Sequence, residues 1–298
     1  MDRRATLLVT CPDRPGIVAT VTTFLYHHGV NILRLDQHST GSLAKPGLDL
    51  PSRPDSLASP GTFFMRIEFE TPPVEGARPA LEAAFKAVVA ERLDMWFSLA
   101  WARDLRRVAV LVSKHDHALV ELLWRWRQGE LPCEMHAIIS NHEVARRAAK
   151  DFELPFHVVD SSDKARAEAE LERLLDGVDL VVLARYMQIL SPAFVEKFHH
   201  RIINIHHSFL PAFVGARPYH QAHERGVKLI GATAHYVTSE LDQGPIIEQD
   251  VIRVSHRQDA ASLVSLGRDI ERQVLARAVR WHLEHRVLVH EGRTVVFN

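Results

Sequence analysis

The chain has 298 residues, of which 46% are hydrophobic and 24% charged, and at about 150 residues per domain this length suggests two domains. That balance excludes a largely disordered, collagen-like or coiled-coil protein. The 36 Lys and Arg against 37 Asp and Glu leave no charge excess that would point to nucleic acid or an acidic membrane. Cys11 and Cys133 form neither a disulfide framework nor a CxxC motif. With no signal peptide and no membrane span read from the sequence, a cytoplasmic protein is expected.

In chain order, Thr6 to Thr10 reads as a short apolar strand. The turn Cys11 to Gly16 opens a helix, with Asp13 or Arg14 near its cap and Pro15 in its first turn. Ile17, Val18, Val21, Phe24 and Leu25 recur at helical spacing, and Gly29 stops the helix. Residues 30–39 read as a strand. The run from Phe63 to Phe69 alternates apolar and polar residues, as a half-buried strand does. Leu81, Ala84, Phe85, Val88 and Val89 predict a second helix, and Met95, Phe97 and Leu99 a closing strand. The order βαββαβ is a ferredoxin-like split unit. Residues 41–61, with four Pro and several Ser, read as a loop without chemistry.

Arg103 to Arg107 reads as a linker, so domains are expected at 1–102 and 103–298. Val108 to Val112 is a continuous apolar run, as in a buried parallel strand. Helices at 116–127, 143–151 and 164–175 alternate with strands at 135–139, near 158–159 and at 179–184. That alternation predicts an open, mostly parallel α/β sheet with helices on both faces. Strands and loops follow Ile202, then a long helix over 259–285 and a final hairpin over 286–297.

Histidine is abundant, with 19 residues, yet HExxH is absent, and His282-Leu283-Glu284-His285 has the wrong offset. No dedicated metal site is expected. Neither GxGxxG nor GxxxxGK[ST] occurs, and Ser113 to Ala118, after the first strand of the second domain, holds no glycine to bring backbone close to a phosphate. The richest segment is Arg201 to Phe213. Ile203 and Ile205 fall on one face of an extended segment, and Asn204 and His206 on the other. The strand end is where open α/β sheets place their sites. Thr233 and His235 share a face of the strand 229–237, and Asp242 stands in a turn before Gly244-Pro245. Asn can donate to a developing oxyanion, His can move a proton, and Asp can orient the His and hold a water. Taken singly, each residue also suits an ordinary strand end or turn.

Together these residues resemble a family. Asn204, His206, Ser208, Leu210 and Pro211, then Gly231, Thr233 and His235, then Asp242, Gly244, Pro245, Ile246 and Ile247, are similar at fixed spacing to the signature of formyltransferases that use 10-formyltetrahydrofolate. The likeness extends over residues 107–298. Two features resemble the formyltetrahydrofolate deformylase branch rather than glycinamide ribonucleotide formyltransferase: His207 after the histidine, and the glycine-free Ser113 to His117. Ser140-Asn141-His142, Leu183 to Leu190, and Pro218, Tyr219, Gln221 and Ala222 fit the same branch. The first domain resembles an ACT domain.

The resemblance implies an α/β enzyme that hydrolyses 10-formyltetrahydrofolate to tetrahydrofolate and formate, supplying formate and balancing the one-carbon folate pool that feeds purine synthesis. It implies catalysis by Asn204, His206 and Asp242. Substrate would be bound by Arg185, Met187, Ile189, Leu190 and His235, with Arg185 to Leu190 acting mostly through backbone groups. It implies an effector site at Asp13, Gly16 and Asn31 for an amino acid such as glycine or methionine, no cofactor beyond the folate substrate, no metal, and a homo-oligomer. A transferase passing the formyl group to an amine, and a non-enzymatic amino-acid sensor, are the competing readings.

Overall fold

Alternation along two long strands builds the first core. Leu7, Val9 and Cys11 of β1 (Arg4–Pro12) stand opposite Ile67, Met65 and Phe63 of β3 (Thr62–Glu70), and all six are buried in one cluster. This computed structural model describes residues 3–40, 61–72, 77–211 and 218–297; the proline-rich segment 41–60 lies outside them. Two compact units are present, residues 1–104 and 105–296.

In the first unit, α1 (Ile17–His27) joins β1 to β2 (Asn31–Ser39), and β4 (Trp96–Trp101) closes an antiparallel sheet of order β2-β3-β1-β4. The βαββαβ reading holds, with two corrections. First, α1 is N-capped by Gly16, whose left-handed φ of 91° suits a residue without a Cβ, and no side chain caps the helix. Asp13 instead accepts a 2.5 Å hydrogen bond from Ser39, and Arg14 donates to the Leu93 carbonyl at 2.7 Å. Second, the second helix is broken. After α2 (Ala77–Phe85), a π turn spans Lys86–Ala90 before the short α3 (Glu91–Leu93). The wider turn rotates Val88 to 59% exposure while Val89 stays fully buried.

The second unit is a seven-stranded sheet of order β11-β10-β9-β8-β5-β6-β7. Its parallel part comprises β5 (Arg106–Val112), β6 (Cys133–Ser140), β7 (Phe156–Val158), β8 (Leu180–Ala184) and β9 (Ile202–His206). β10 (Leu229–Tyr236) and β11 (Ile246–Arg253) run antiparallel at one edge. Alternate β5 residues face opposite cores. Val108, Val110 and Val112 pack on α4 (His117–Arg127) and α9 (Ala260–Leu283), while Ala109 and Leu111 face the cluster of α6 (Lys164–Leu174) and α7 (Pro192–Lys197). Helices α5 (Arg146–Asp151) and α8 (Pro218–Glu224) and a hairpin of β12 (Val287–His290) and β13 (Arg293–Val296) complete the unit. The expected helix at 143 starts later, because Glu143 sits in a turn that accepts from the Arg146 backbone and side chain. The expected linker ends earlier, since Arg106 and Arg107 already pair with β6.

The chain leaves β5 for β6 and β7 on one side and returns to β8 and β9 on the other. The strand order therefore reverses between β5 and β8, and open α/β sheets bind ligands at such a reversal. Among the described residues, no helix is long and apolar enough to cross a membrane.

Candidate active site

A cavity of about 620 Å³ opens beyond the carboxyl ends of β5, β8 and β9. Strand alternation sets its polar floor. Ile203 and Ile205 are buried in the α4/α9 core, and the intervening Asn204 and the following His206 line the cavity. The third member of the group arrives from the turn after β10, where Asp242 adopts a left-handed φ of 56°. This turn is held tightly, since a Cβ on Gly244 would lie 1.7 Å from the Tyr236 carbonyl oxygen, and the Tyr236 amide donates to the Pro245 carbonyl at 2.9 Å.

Asp242 Oδ2 lies 3.3 Å from His206 Nδ1. The hydrogen bond from His206 outweighs partial burial and holds the Asp242 carboxyl below its ordinary range, so it is ionised at neutral pH. His206 lines the cavity, and its Nε2 is buried with no hydrogen-bond partner among the described residues. His235 is 2% exposed, and burial lowers its pKa, with smaller opposing effects from Tyr236 and Asp242. Its Nδ1 lies 2.9 Å from the Tyr236 carbonyl, which can only accept, so Nδ1 carries the proton. Nε2 is then an acceptor and takes the Asn204 Nδ2 amide at 3.2 Å. This orients the Asn204 amide and leaves its second N–H for a ligand. Asp242 Oδ1 stands 3.8 Å from that same Nε2, beyond hydrogen-bonding distance, as two acceptors should.

Thr233, expected beside His235, is fully buried and structural. Its hydroxyl donates to the Ser208 carbonyl at 2.9 Å and accepts from the Leu210 amide at 3.0 Å, pinning the chain that leaves His206. The tail of that segment, Ala212 and Phe213, is outside the described residues. Ser140 is also turn-forming, accepting from the His142 amide at 3.0 Å.

Arg185, Met187, Ile189, Leu190 and His235 all line the cavity. Met187 and Ile189 are 60% and 65% exposed, an unusual state for large apolar residues at a cavity mouth. Arg185 and Met187 have φ of 64° and 60°, a conformation that costs a non-glycine residue on the order of 1 kcal/mol or more.

Sequence reading missed a second polar group. Glu271 of α9 is 1% exposed and takes hydrogen bonds from His117 Nε2 and the Tyr219 hydroxyl at 2.8 Å each, and from Arg185 Nη1 at 3.2 Å. Burial alone would raise its pKa, but His117, Arg185 and Tyr219 together bring it below the ordinary value. Gly267 makes room for this group, since a Cβ there would meet the Tyr219 ring at 2.1 Å. Beside it, burial and Arg185 push His207 down to about 3, so it is neutral. The signal in the sequence was a charge at a core position: Leu263, Gly267, Ile270 and Val274 mark the buried stripe of α9, and Glu271 stands on it.

In the first unit the three expected effector residues divide. Asp13 and Gly16 flank the end of β1 at Pro12, which pairs with Thr62. Asn31 pairs with Glu70, eight positions farther along β3, a separation of about 27 Å at strand rise. One amino acid cannot touch all three within a single chain.

The chain matches the formyl transferase family over residues 106–279 and the ACT domain family over residues 5–45. It is 53% identical to a formyltetrahydrofolate deformylase of Bacillus subtilis over 98% of this chain and 93% of that protein. The crystal structure of a formyltetrahydrofolate deformylase from Pseudomonas syringae superposes with a TM-score of 0.89 at 46% identity, covering 100% of this chain and 95% of that one. A glycinamide ribonucleotide transformylase from Symbiobacterium toebii covers only 65% of this chain, and 95% of its own, with a TM-score of 0.62 at 31% identity. The deformylases thus match the chain from end to end, both units included, and the chain belongs to the formyltetrahydrofolate deformylase family.

Proposed function

We propose that the chain hydrolyses 10-formyltetrahydrofolate with water to tetrahydrofolate and formate. The observation that carries the chemistry is the group at the cavity floor: an oriented amide N–H of Asn204, an unspent imidazole nitrogen on His206, and an ionised carboxylate at Asp242.

In this reading the formyl oxygen accepts the free N–H of Asn204, which strengthens as charge develops on that oxygen. His206 Nδ1–H is held by Asp242, so Nε2 is a base. Water attacks the formyl carbon, its proton passes to His206 Nε2, and Asp242 stabilises the imidazolium. His206 then delivers that proton to N10 as the carbon–nitrogen bond breaks, and the product leaves as formic acid, which gives its proton to solvent to become formate. Asp242 Oδ1, free of His235, is placed to accept from the attacking water. His235 acts through Asn204. Met187, Ile189 and Leu190 offer an apolar wall for the aromatic parts of the folate. These residues supply polarisation, proton transfer and orientation, so the reaction needs no cofactor in this reading.

We further propose that the first unit, an ACT domain, binds a small effector such as glycine or methionine and supports a homo-oligomer, and that the enzyme is cytoplasmic. A bound effector must stabilise the folded state, so a rise in melting temperature with either amino acid is expected; no rise with either removes both from consideration.

The decisive experiment is formate release from the purified chain and 10-formyltetrahydrofolate with no amine present. Equal formate and tetrahydrofolate are expected. Folate binding without formate would instead support a transferase or a sensor.

A further inference from the structure

Glu271 touches none of the three groups at the cavity floor, yet a buried carboxylate is costly to keep unless it is paired and hydrogen-bonded. Both of its oxygens are occupied. Oε2 meets His117 Nε2 at 2.8 Å, Oε1 meets the Tyr219 hydroxyl at 2.8 Å, and Arg185 Nη1 lies 3.2 Å from each. Such a carboxylate has a single orientation, and the cation it holds is fixed with it. That cation belongs to Arg185, which immediately follows β8 and opens the cavity wall 185–190. The backbone of this wall is left-handed at Arg185 and again at Met187. Bulky L-residues keep that conformation only where their surroundings hold them. The wall then presents Met187 and Ile189 to the cavity, each more than half exposed.

We infer that Glu271 is a positioning residue for substrate binding: through Arg185 it fixes the course of residues 185–190, and so sets affinity for the folate rather than the rate of formyl hydrolysis. The inference rests on the reading of this cavity as the folate pocket. It also revises the role of Arg185, whose guanidinium serves Glu271, so that its substrate contact runs through the wall it begins.

The test compares Glu271→Gln, Arg185→Met and the double variant by steady-state formate release, by binding of unreactive 5-formyltetrahydrofolate, and by melting temperature. Each single variant is expected to raise KM by about tenfold or more with kcat within about threefold of the wild type, and to weaken 5-formyltetrahydrofolate binding in parallel. The double variant is expected to be no worse than the worse single one, because both changes break one link. A lowered melting temperature with unchanged KM would overturn the inference and leave Glu271 a purely structural group. A fall in kcat at unchanged KM, or single effects that multiply in the double variant, would overturn it equally. If Glu271→Gln does not fold, Arg185→Met and Arg185→Lys decide the question, with lysine expected to restore KM at least in part, because a single nitrogen, Nη1, meets both oxygens in the wild type. A wild-type protein that neither hydrolyses 10-formyltetrahydrofolate nor binds 5-formyltetrahydrofolate overturns the folate reading and this inference together.

Discussion

Asp242 engages His206 through Nδ1 at 3.3 Å, and the opposite ring nitrogen, Nε2, is buried without a partner among the described residues. Orienting group and working nitrogen thus lie on opposite edges of one ring, which lets the carboxylate set the tautomer without blocking proton transfer. Asp242→Ala is expected to lower kcat for formate release on the order of 10²-fold or more, with the fold retained. Near-normal turnover in this variant would remove Asp242 from the reaction.

Asn204 and His235 stand directly opposite each other in the β9–β10 register. Asn204→Ala removes the proposed oxyanion donor and is expected to cost about 10²- to 10³-fold in kcat. His235→Ala leaves the amide in place but frees it to rotate, so a smaller loss, about tenfold, is expected. Equal losses in the two variants would mean that His235 acts on the substrate itself.

Gly244→Ala tests the turn that carries Asp242. The added Cβ would sit 1.7 Å from the Tyr236 carbonyl oxygen, so the turn must shift. A stability loss of about 1–3 kcal/mol is expected from the overpacking, and kcat should fall further than stability alone explains. Calorimetry and formate release on the same preparation check both effects. Unaltered melting and turnover would contradict the packing.

Acid should destabilise the folded protein in two stages. His282 is held well below its ordinary pKa by burial and by Arg106, and His207 and His235 are also lowered, so the folded state refuses protons that the unfolded state accepts. Stability is therefore lost as pH falls below the ordinary value of 6.5, at about 1.4 kcal/mol per pH unit for each such histidine. The loss from His207 ends near its folded value of about 3. Asp242 and Glu271 are both lowered carboxyls, so their contribution is intact above their ordinary values of 3.8 and 4.5 and is lost only below them. Chemical unfolding between pH 8 and 5 is expected to show the first stage, and His282→Gln should flatten it. A flat profile in the wild type would refute this account.

Much of the active site was legible because its residues obey strand periodicity. Asn204 and His206 are two apart on a strand whose other face is Ile203 and Ile205, and Gly244-Pro245 announces the turn that carries Asp242. Glu271 was not legible as a site residue, because its partners His117, Arg185 and Tyr219 come from three other elements that meet only through the sheet reversal. A carboxylate on the apolar stripe of α9 was its one local trace. The π turn at Lys86–Ala90 was hidden for a different reason: it adds one residue to a helical turn to bury Val89, a choice made by packing. Asn31 could not be placed by motif likeness alone, since strand register within one chain sets it far from Asp13.

The pairing of β9 with β10 has a further consequence. All three groups assigned to the formyl carbon come from this one antiparallel pair and the turn beyond it, residues 202–242. His115 of the loop after β5 and His117 at the start of α4 also line the cavity and contribute none of them. Bond-breaking machinery and the chamber facing it are thus separate mechanical parts. A change in the loop after β5 therefore leaves in place the strand pair and turn that carry Asn204, His206 and Asp242.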